Sequence, residues 1–265
     1  MPLQALSSAW PYPFWIGHRG AGKLAPENTL AAFRLGAQHG YRMFECDAKL
    51  SADGVPFLMH DATLTRTTNA AERLATHASA TGGDHVWAEL SQLDAGSWHS
   101  RAYAGEPLPT LENAARFCRA NGLALNIEIK PTPGTERRTG EVVAAHAARW
   151  WQGASIVPLM TSFSVQALQG AREAAPNLPR GLLLDALPVG WLQSALALDC
   201  VAVVCHHGLW DSANVALAHG AGLRVLSYTV NDEAHARRLM ELDTDGIITD
   251  RVDLFSPSLT VAEGN

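Results

Sequence analysis

Two carboxylates stand two positions apart in an otherwise apolar segment. Glu45 and Asp47 are interleaved with Met43, Phe44 and Cys46. If this segment is a β-strand, both carboxylates point to the same face, because side chains alternate along a strand. Burying two carboxylates without partners is costly, and either a divalent cation or a salt bridge would offset that cost. The Glu-x-Asp spacing alone leaves both interpretations open.

A second pair of charged residues follows the same rule. Glu128 and Lys130 share a face at the end of the apolar segment 123–130. Glu128 is therefore a candidate third oxygen ligand for an ion bound by Glu45 and Asp47. Three carboxylates with waters suit Mg²⁺ or Ca²⁺, which prefer oxygen ligands. The alternative is that Glu128 and Lys130 form a structural ion pair inside the protein.

The elements that must position these residues alternate along the chain. Short apolar runs are candidate strands, and amphipathic stretches between them are candidate helices. The strands are predicted at 14–17, 43–50, 55–60, 123–130, 156–163, 181–185, 201–206, 223–230 and 246–249. The helices are predicted at 29–38, 111–120, 140–151, 165–174, 191–197, 211–218 and 233–241, with Asn28 as the cap of the first. Repeated strand–helix units predict a parallel sheet with helices outside.

One of the nine strands does not fit a parallel sheet. Only four residues separate 43–50 from 55–60, whereas parallel neighbours need a crossover of about a dozen. The Asp53-Gly54 pair is a hairpin signal, so 55–60 is predicted to fold back antiparallel. The other eight strands predict an α/β fold, a closed (β/α)8 TIM barrel, and the length of 265 residues fits one.

Two histidines are expected near the carboxylates. A two-residue turn at Asp53-Gly54 places Asp47 opposite His60, at roughly 5 Å, and a shift of one residue would turn His60 to the other face. His18 reaches the same place only if the barrel closes, so that the first two strands adjoin. Histidines beside a divalent ion suit acid–base chemistry, because their pKa lies near neutrality.

Two cations border the same end of the predicted barrel. Arg19 offers a planar fork and Lys130 a point charge, and both suit a phosphate group. The glycines near His18 match neither a Walker motif nor a dinucleotide fingerprint. The pair His206-His207 also ends a strand, but no carboxylate accompanies it, and we interpret it as structural.

The segment 62–109 interrupts the strand–helix rhythm. A structureless loop of that length is unusual, so we expect a small insertion over the barrel mouth, with one helical turn at 90–94. The predicted organisation is a single domain, 1–265, that contains this insertion after the second-strand hairpin.

Composition excludes several classes of protein. The net charge is −6 and the largest basic cluster, Arg137-Arg138, has two charges, which disfavours nucleic-acid binding and a polybasic membrane-surface site. The first ten residues show no signal peptide, and no apolar run reaches about 18 residues, the length of a membrane span. Four cysteines without a CxxC pair predict reduced core thiols in a cytoplasmic protein.

An ordered series of motifs resembles a known family. The series is Ile16-Gly17-His18-Arg19-Gly20, Ala25-Pro26-Glu27-Asn28-Thr29, Glu45-Cys46-Asp47, Ser51-Ala52-Asp53-Gly54, His60-Asp61, Asn126-Ile127-Glu128-Ile129-Lys130, Tyr228-Thr229-Val230-Asn231 and Asp245-Gly246-Ile247-Ile248-Thr249-Asp250. Together these motifs are similar to the glycerophosphodiester phosphodiesterases, in particular the bacterial cytosolic type. The resemblance runs from about residue 12 to residue 253.

The resemblance implies roles for eight residues. It implies a divalent cation bound by Glu45, Asp47 and Glu128, for which we expect Mg²⁺, with Ca²⁺ or Mn²⁺ as alternatives. It implies His18 and His60 as the acid–base pair, Arg19 and Lys130 as phosphate ligands, and Tyr228, where many members have Trp, as a wall of the substrate pocket. The substrate would be a small glycerophosphodiester, cleaved to sn-glycerol 3-phosphate and an alcohol either through a cyclic phosphate or by direct attack of water.

Three other functions remain open at this point. A phosphodiesterase acting on lipid would need an interfacial surface, for which 10–15 is the nearest candidate. A barrel that only binds phosphorylated ligands would lack a catalytic group, and none is missing here. A Schiff-base aldolase would use Lys130, but the adjacent carboxylates disfavour it.

Overall fold

The structure, a computed structural model, describes residues 10–257. Its strands are β1 (Trp15–Gly17), β2 (Met43–Leu50), β3 (Pro56–Leu58), β4 (Ala124–Ile129), β5 (Leu159–Ser162), β6 (Arg180–Leu184), β7 (Ala202–His206), β8 (Arg224–Tyr228) and β9 (Gly246–Thr249). Its helices are α1 (Leu30–Gln38), α2 (Ala70–Arg73), α3 (Trp87–Leu90), α4 (Leu111–Ala120), α5 (Glu136–Trp150), α6 (Val165–Ala174), α7 (Trp191–Ala197), α8 (Ser212–Gly220) and α9 (Glu233–Glu241).

Eight parallel strands close into a barrel. They follow one another in the order β1-β2-β4-β5-β6-β7-β8-β9, and β9 pairs back to β1. Helices connect the strands and pack outside them, so the predicted (β/α)8 TIM barrel is confirmed. Reactive groups in this fold lie at the carboxyl ends of the strands. The predicted site residues stand at or near the carboxyl ends of their strands.

The barrel interior has an apolar floor and a polar mouth. Alternation along each strand selects the side chains that point inward. In β2, Met43 belongs to the cluster inside the barrel, whereas Phe44 and Cys46 belong to the layer between strands and helices. Glu45 and Asp47 share the inner face with Met43, nearer the carboxyl end of the strand. The floor consists of Tyr12, Ile16, Met43, Ala124, Leu159, Leu183, Ala202, Val204, Leu226 and Ile248. The charged residues therefore lie above a sealed apolar base.

The hairpin after β2 is antiparallel as predicted, but the predicted register is wrong by one residue. The turn contains three residues, 52–54, and ends on Gly54 with φ +83°, a conformation that glycine adopts without a steric penalty. Asp47 consequently lies opposite Met59, whose N–H donates to the Asp47 carbonyl at 3.0 Å, and not opposite His60.

The segment 62–109 has a small apolar cluster of its own. Leu64, Ala70, Leu90, Leu93, Ala95 and Leu108 pack there with Phe57 and Met59 of the hairpin. The helical turn predicted at 90–94 lies instead at α3, because Asp53 in the hairpin turn accepts a hydrogen bond from the Trp87 N–H at 2.9 Å. The assignment of 1–265 to one domain with 62–109 as its insertion stays a prediction, since the described residues end short of both termini.

The predicted cap of α1 is also corrected. Thr29, not Asn28, caps this helix by accepting a hydrogen bond from the Ala32 N–H. Asn28 has φ +60° and its side chain turns into the barrel mouth. Asn before a helix is a common sign of a cap, but in this helix the next residue, Thr29, is the cap.

The structure also bears on the expectations about membrane contact and disulfides. No helix within residues 10–257 has the length and apolarity needed to cross a bilayer. The aromatic run that a lipid enzyme would expose is largely packed, with Tyr12 and Trp15 buried. The four cysteines are buried and form no disulfide. The predicted lack of a signal peptide rests mainly on residues 1–9, which lie outside the described residues.

The contact between α5 and α6 predicts an asymmetric effect of alanine substitutions. A Cβ added at Gly140 would lie 1.9 Å from the Ala167 carbonyl oxygen, so Gly140→Ala should destabilise the fold by about 1–3 kcal/mol through overpacking. Gly220, the last residue of α8, has no atom within 4 Å of an added Cβ. Gly220→Ala should be neutral or stabilising by up to about 1 kcal/mol. Urea unfolding of the two variants measures both, and equal effects would contradict the packing argument.

Candidate active site

Three carboxylates meet at the mouth of the barrel, as predicted. Glu45 and Asp47 project from β2 and Glu128 from β4, where Asp47 and Glu128 are register partners. One oxygen from each lies within 4.8 Å of the other two, and the side chains are buried, with exposures of 3%, 1% and 9%. Glu45 Oε1 and Asp47 Oδ1 are buried without a hydrogen-bond partner. A cluster of buried carboxylate oxygens is the kind of ligand set that a hard divalent cation prefers.

The three acids differ in how readily they ionise. Burial, together with the charges of Asp47 and Glu128, raises the pKa of Glu45 well above its usual range. Burial and the charge of Asp47 raise the pKa of Glu128 to about 7. Burial also opposes the ionisation of Asp47, but Arg19 and Lys130 outweigh it and hold the pKa of Asp47 well below its usual value. Without a cation, this cluster therefore retains protons near neutral pH.

Two basic side chains border the acidic trio. Lys130 Nζ lies 2.8 Å from Glu128 Oε1 and 3.4 Å from Asp47 Oδ1. Arg19 has its Nε 3.2 Å from Asp47 Oδ2, and its backbone N–H donates to Glu45 Oε2 at 3.1 Å. Arg19 adopts φ +52°, and a non-glycine residue in that region often marks a functional site.

Asn28 is a site residue that the sequence argument missed as such. Its amide donates from Nδ2 to Asp47 Oδ2 at 2.8 Å, and its Oδ1 accepts from the Asp47 backbone N–H at 3.0 Å. This two-way contact fixes the carboxylate of Asp47 against rotation. The only signal was that Asn28 stands in the quoted motif 25–29, where its side chain was assigned to a helix cap.

His18 enters the site through closure of the barrel, as expected. Its Nδ1 lies 2.7 Å from Asp250 Oδ1, and its Nε2 lies 3.8 Å from Glu45 Oε2. Asp250 is itself fixed, because its other oxygen accepts from Asn231 Nδ2 at 2.8 Å and its N–H donates to Asn231 Oδ1 at 2.9 Å. An imidazole that donates Nδ1–H to a carboxylate keeps Nε2 available toward the site.

His60 lies at the site despite the corrected register, because β3 ends at Leu58 and the chain then turns. Its Nδ1 lies 2.7 Å from Asp61 Oδ1. Burial, only partly opposed by the charge of Asp47, lowers the pKa of His60, which favours the neutral imidazole. The two histidines thus share one arrangement, in which a carboxylate holds Nδ1.

A residue from segment 62–109 ties this arrangement to the barrel. Arg66 donates from Nε to Asp61 Oδ2 at 2.5 Å and from Nη1 to Glu27 Oε2 at 2.8 Å. Glu27 in turn accepts from Arg19 Nη1 at 2.9 Å. Arg66 therefore links the carboxylate on His60 to the one on Arg19. No local pattern in the sequence marks Arg66, since its partners stand up to 39 residues away.

Two cavities adjoin His18, and the first of them also adjoins His60. One of about 180 Å³ is lined by His18, Arg19, Glu45, His60, Asn126, Glu128, Lys130, Thr161, Phe163, Leu183, Tyr228, Thr229 and Ile248. The other, about 320 Å³, is lined by His18, Arg19, Gly22, Lys23, Ala25, Glu27, Arg66, Trp98, His99 and Asp250. Tyr228 donates its hydroxyl to the Leu184 carbonyl at 3.0 Å, so it presents an aromatic wall to the first cavity. His18 and Arg19 border both.

The raised pKa values of Glu45 and Glu128 predict an unusual pH dependence of stability. Between pH 4.5 and about pH 7 the folded protein holds a proton on Glu128 that the unfolded chain has released. In a chelator, stability should therefore fall as pH rises through this window, by at most about 1.4 kcal/mol per pH unit from this group. Thermal unfolding between pH 5 and pH 8 measures the trend.

Two controls sharpen this prediction. Glu128→Gln should flatten the trend, because the amide does not titrate. Millimolar Mg²⁺ at pH 8 should raise the Tm of the unsubstituted protein far more than that of the variant. A Tm that changes neither with pH nor with Mg²⁺ would contradict the assignment of these oxygens to a cation site.

Comparison with known proteins agrees with the motif series. The profile of the Glycerophosphoryl diester phosphodiesterase family matches residues 18–254. The chain is 30% identical over 246 residues to YhdW of Bacillus subtilis (strain 168), covering 91% of this chain and 95% of the relative. It is 28% identical to the glycerophosphodiester phosphodiesterase of the same organism, covering 91% of this chain and 84% of the relative.

Solved structures give the same result. An Oleispira antarctica phosphodiesterase in complex with the product sn-glycerol-3-phosphate has a TM-score of 0.81 to this chain at 35% identity, covering 90% of this chain and 93% of that one. A glycerophosphodiester phosphodiesterase from Agrobacterium tumefaciens has a TM-score of 0.73 at 27% identity, covering 92% and 99%. The chain therefore belongs to the glycerophosphoryl diester phosphodiesterase family of hydrolases.

Proposed function

We propose that this chain hydrolyses glycerophosphodiesters such as glycerophosphocholine and glycerophosphoethanolamine to sn-glycerol 3-phosphate and an alcohol, with a divalent cation and with His18 and His60 as the acid–base pair. The observation that carries the proposal is the pairing of each histidine Nδ1 with a carboxylate at 2.7 Å, beside three buried carboxylates. The Oleispira antarctica relative bound to sn-glycerol-3-phosphate supports the identity of the product.

The cation would be held by Glu45, Asp47 and Glu128. They fit such an ion because Glu45 Oε1 and Asp47 Oδ1 are buried and accept no hydrogen bond. When bound, a divalent ion supplies Lewis-acid stabilisation of the negative charge that develops on the phosphate. We propose Mg²⁺, because all three ligands are oxygens, and Ca²⁺ or Mn²⁺ can bind the same set.

The two histidines would move the protons. One Nε2 accepts the proton of the attacking hydroxyl, either the 2-hydroxyl of glycerol or a water, as the new O–P bond forms. The Nε2 of the other donates a proton to the alcohol oxygen as its bond to phosphorus breaks. If the 2-hydroxyl attacks, the product of this step is a cyclic phosphate, and water then opens it with the roles of the two histidines exchanged. The lowered pKa of His60 favours it as the group that starts neutral and accepts a proton. Asp250 stabilises the imidazolium form of His18, and Asp61 stabilises that of His60.

The cations and the two cavities suggest how the substrate is oriented. Arg19 and Lys130 would bind the phosphate oxygens. Because His18 and Arg19 border both cavities, we infer that phosphorus lies between them. The smaller cavity, with Tyr228 and Phe163 as aromatic walls, would take the glycerol end. The larger one, beside Arg66 and Trp98, would take the leaving alcohol.

The acid–base assignment predicts the effect of removing either imidazole. His18→Ala and His60→Ala should each lower kcat by about 10²–10⁴-fold while the purified proteins still bind the cation. The measurement is release of glycerol 3-phosphate from glycerophosphocholine and glycerophosphoethanolamine, with chelator and with Mg²⁺, Mn²⁺ or Ca²⁺ added back. Turnover that survives either substitution, or that survives thorough chelation, would contradict the proposal.

The carboxylates on the histidines predict a separate effect. Asp250→Asn should lower kcat by about 10–10³-fold with little change in KM, because an amide can hold the imidazole in the wrong tautomer. It should also shift the pH–rate profile, and Asp250→Glu should restore part of the activity. Asp245 is the matched control. It lies outside the site and accepts a hydrogen bond of 2.8 Å from His219 Nε2. Asp245→Asn should change stability but not the pH–rate profile, and identical profiles for both variants would contradict this positioning role.

Charge and packing also bear on the class of substrate. The acidic net charge of −6 supports a small-molecule substrate over nucleic acid, and the packed aromatic run 10–15 supports a water-dissolved diester over a membrane lipid. We also expect a cytoplasmic location, because the four cysteines are free thiols.

A further inference from the structure

A second group of potential metal ligands lies in segment 62–109, apart from the acidic trio. His77, His85 and Glu89 each offer one ligand atom, and these atoms lie within 4.8 Å of one another. His77 Nε2 is 3.1 Å from Glu89 Oε1, and His85 Nδ1 is 3.2 Å from Glu89 Oε2. Two ligands of a tetrahedral Zn²⁺, each about 2.0–2.1 Å from the ion, lie about 3.3 Å apart. The two observed nitrogen–oxygen spacings, each to a different oxygen of Glu89, are close to this separation.

The hydrogen bonds of His85 define which of its nitrogens can bind an ion. Its Nε2 lies 2.9 Å from the Ser79 carbonyl oxygen, which can only accept, so Nε2 carries hydrogen. In the neutral ring, Nδ1 then presents a lone pair toward a carboxylate oxygen that also presents lone pairs. A second proton or a cation between the two atoms removes this conflict. Because His85 is only 2% exposed, a charge on its ring needs strong compensation.

The surroundings of His85 resemble those of metal-binding histidines in general. Such histidines donate the second ring N–H to a carboxylate or a backbone carbonyl, which fixes the ring. Here the carbonyl belongs to a turn that is itself braced, since Ser79 Oγ donates to Asp84 Oδ2 and accepts from the Thr81 N–H. His85 has an extended backbone two residues before α3, and Glu89 lies within that helix. The ligand geometry is therefore formed before any ion binds.

The other two groups leave a route for the ion. The side chains of His77 and Glu89 are each 37% exposed, so solvent reaches the side of the cluster opposite the buried His85. A water can supply a fourth ligand there. As plain ion pairs, these exposed contacts would contribute little to stability.

We propose that His77, His85 and Glu89 bind a transition-metal ion of the Zn²⁺ type, with water as the fourth ligand. Two imidazoles and one carboxylate favour Zn²⁺ over Mg²⁺, which separates this site from the oxygen-only trio. The ion would act as a clip. The His85 carbonyl accepts from the Ala52 N–H at 2.8 Å, so the site bears directly on the turn of the β2–β3 hairpin.

The test is Zn²⁺ binding by the purified, tag-free protein in millimolar Mg²⁺, measured by competition with a chromophoric chelator. The unsubstituted protein should bind a first equivalent of Zn²⁺ more tightly than any further equivalent. His77→Asn and Glu89→Gln, both at accessible positions outside the catalytic machinery, should weaken that binding by at least about 10-fold. His39→Asn, which removes an exposed histidine elsewhere, should leave it unchanged.

Co²⁺ provides a second readout that does not depend on stability. The unsubstituted protein loaded with one equivalent of Co²⁺ in excess Mg²⁺ should show the visible absorption of a four-coordinate ion, and His77→Asn should abolish it. Lack of Zn²⁺ binding in Mg²⁺, or binding and a Co²⁺ spectrum that survive both substitutions, would overturn the proposal. Because no substrate is involved, these outcomes are independent of the proposed hydrolase activity.

Discussion

The site depends on the mutual repulsion of three carboxylates in a place that water barely reaches. Glu45, Asp47 and Glu128 are each at most 9% exposed, and the basic side chains of Arg19 and Lys130 oppose their charge. The pKa values of Glu45 and Glu128 rise as a result. Such an arrangement is unfavourable in the protein alone. The proposed divalent cation would offset the repulsion and would thereby link ion binding to the integrity of the barrel mouth.

The rest of the structure supports this concentration of charge. The apolar floor seals the barrel below the carboxylates, and Asn28 fixes Asp47 from two sides. Around the trio, every catalytic candidate is held by an acid of its own: His18 by Asp250, His60 by Asp61 and Arg19 by Glu27. Arg66 bridges the last two acids, so the segment over the mouth takes part in the geometry of the site.

Periodicity and spacing predicted the fold and the positions of the acids well. The Asp-Gly hairpin signal distinguished the ninth strand, and the Glu-x-Asp and Glu-x-Lys spacings identified the inner faces of β2 and β4. Register failed by one residue, because a three-residue turn ending on Gly54 and a two-residue turn have the same sequence signal. His60 reaches the site only because the strand stops at Leu58. Arg66 was beyond reach, since a contact 39 residues away leaves no local pattern. Asp250 stands in the quoted motif 245–250, but its contact with His18, 232 residues away, leaves no local pattern either.

The most direct measurement is an anomalous difference map from a crystal of the protein loaded with Mn²⁺. The account predicts a peak at the barrel mouth, with oxygens of Glu45, Asp47 and Glu128 within about 2.6 Å of it and the Nε2 atoms of His18 and His60 facing the space beside it. A crystal with Mn²⁺ in solution and no peak among these three carboxylates would contradict the account.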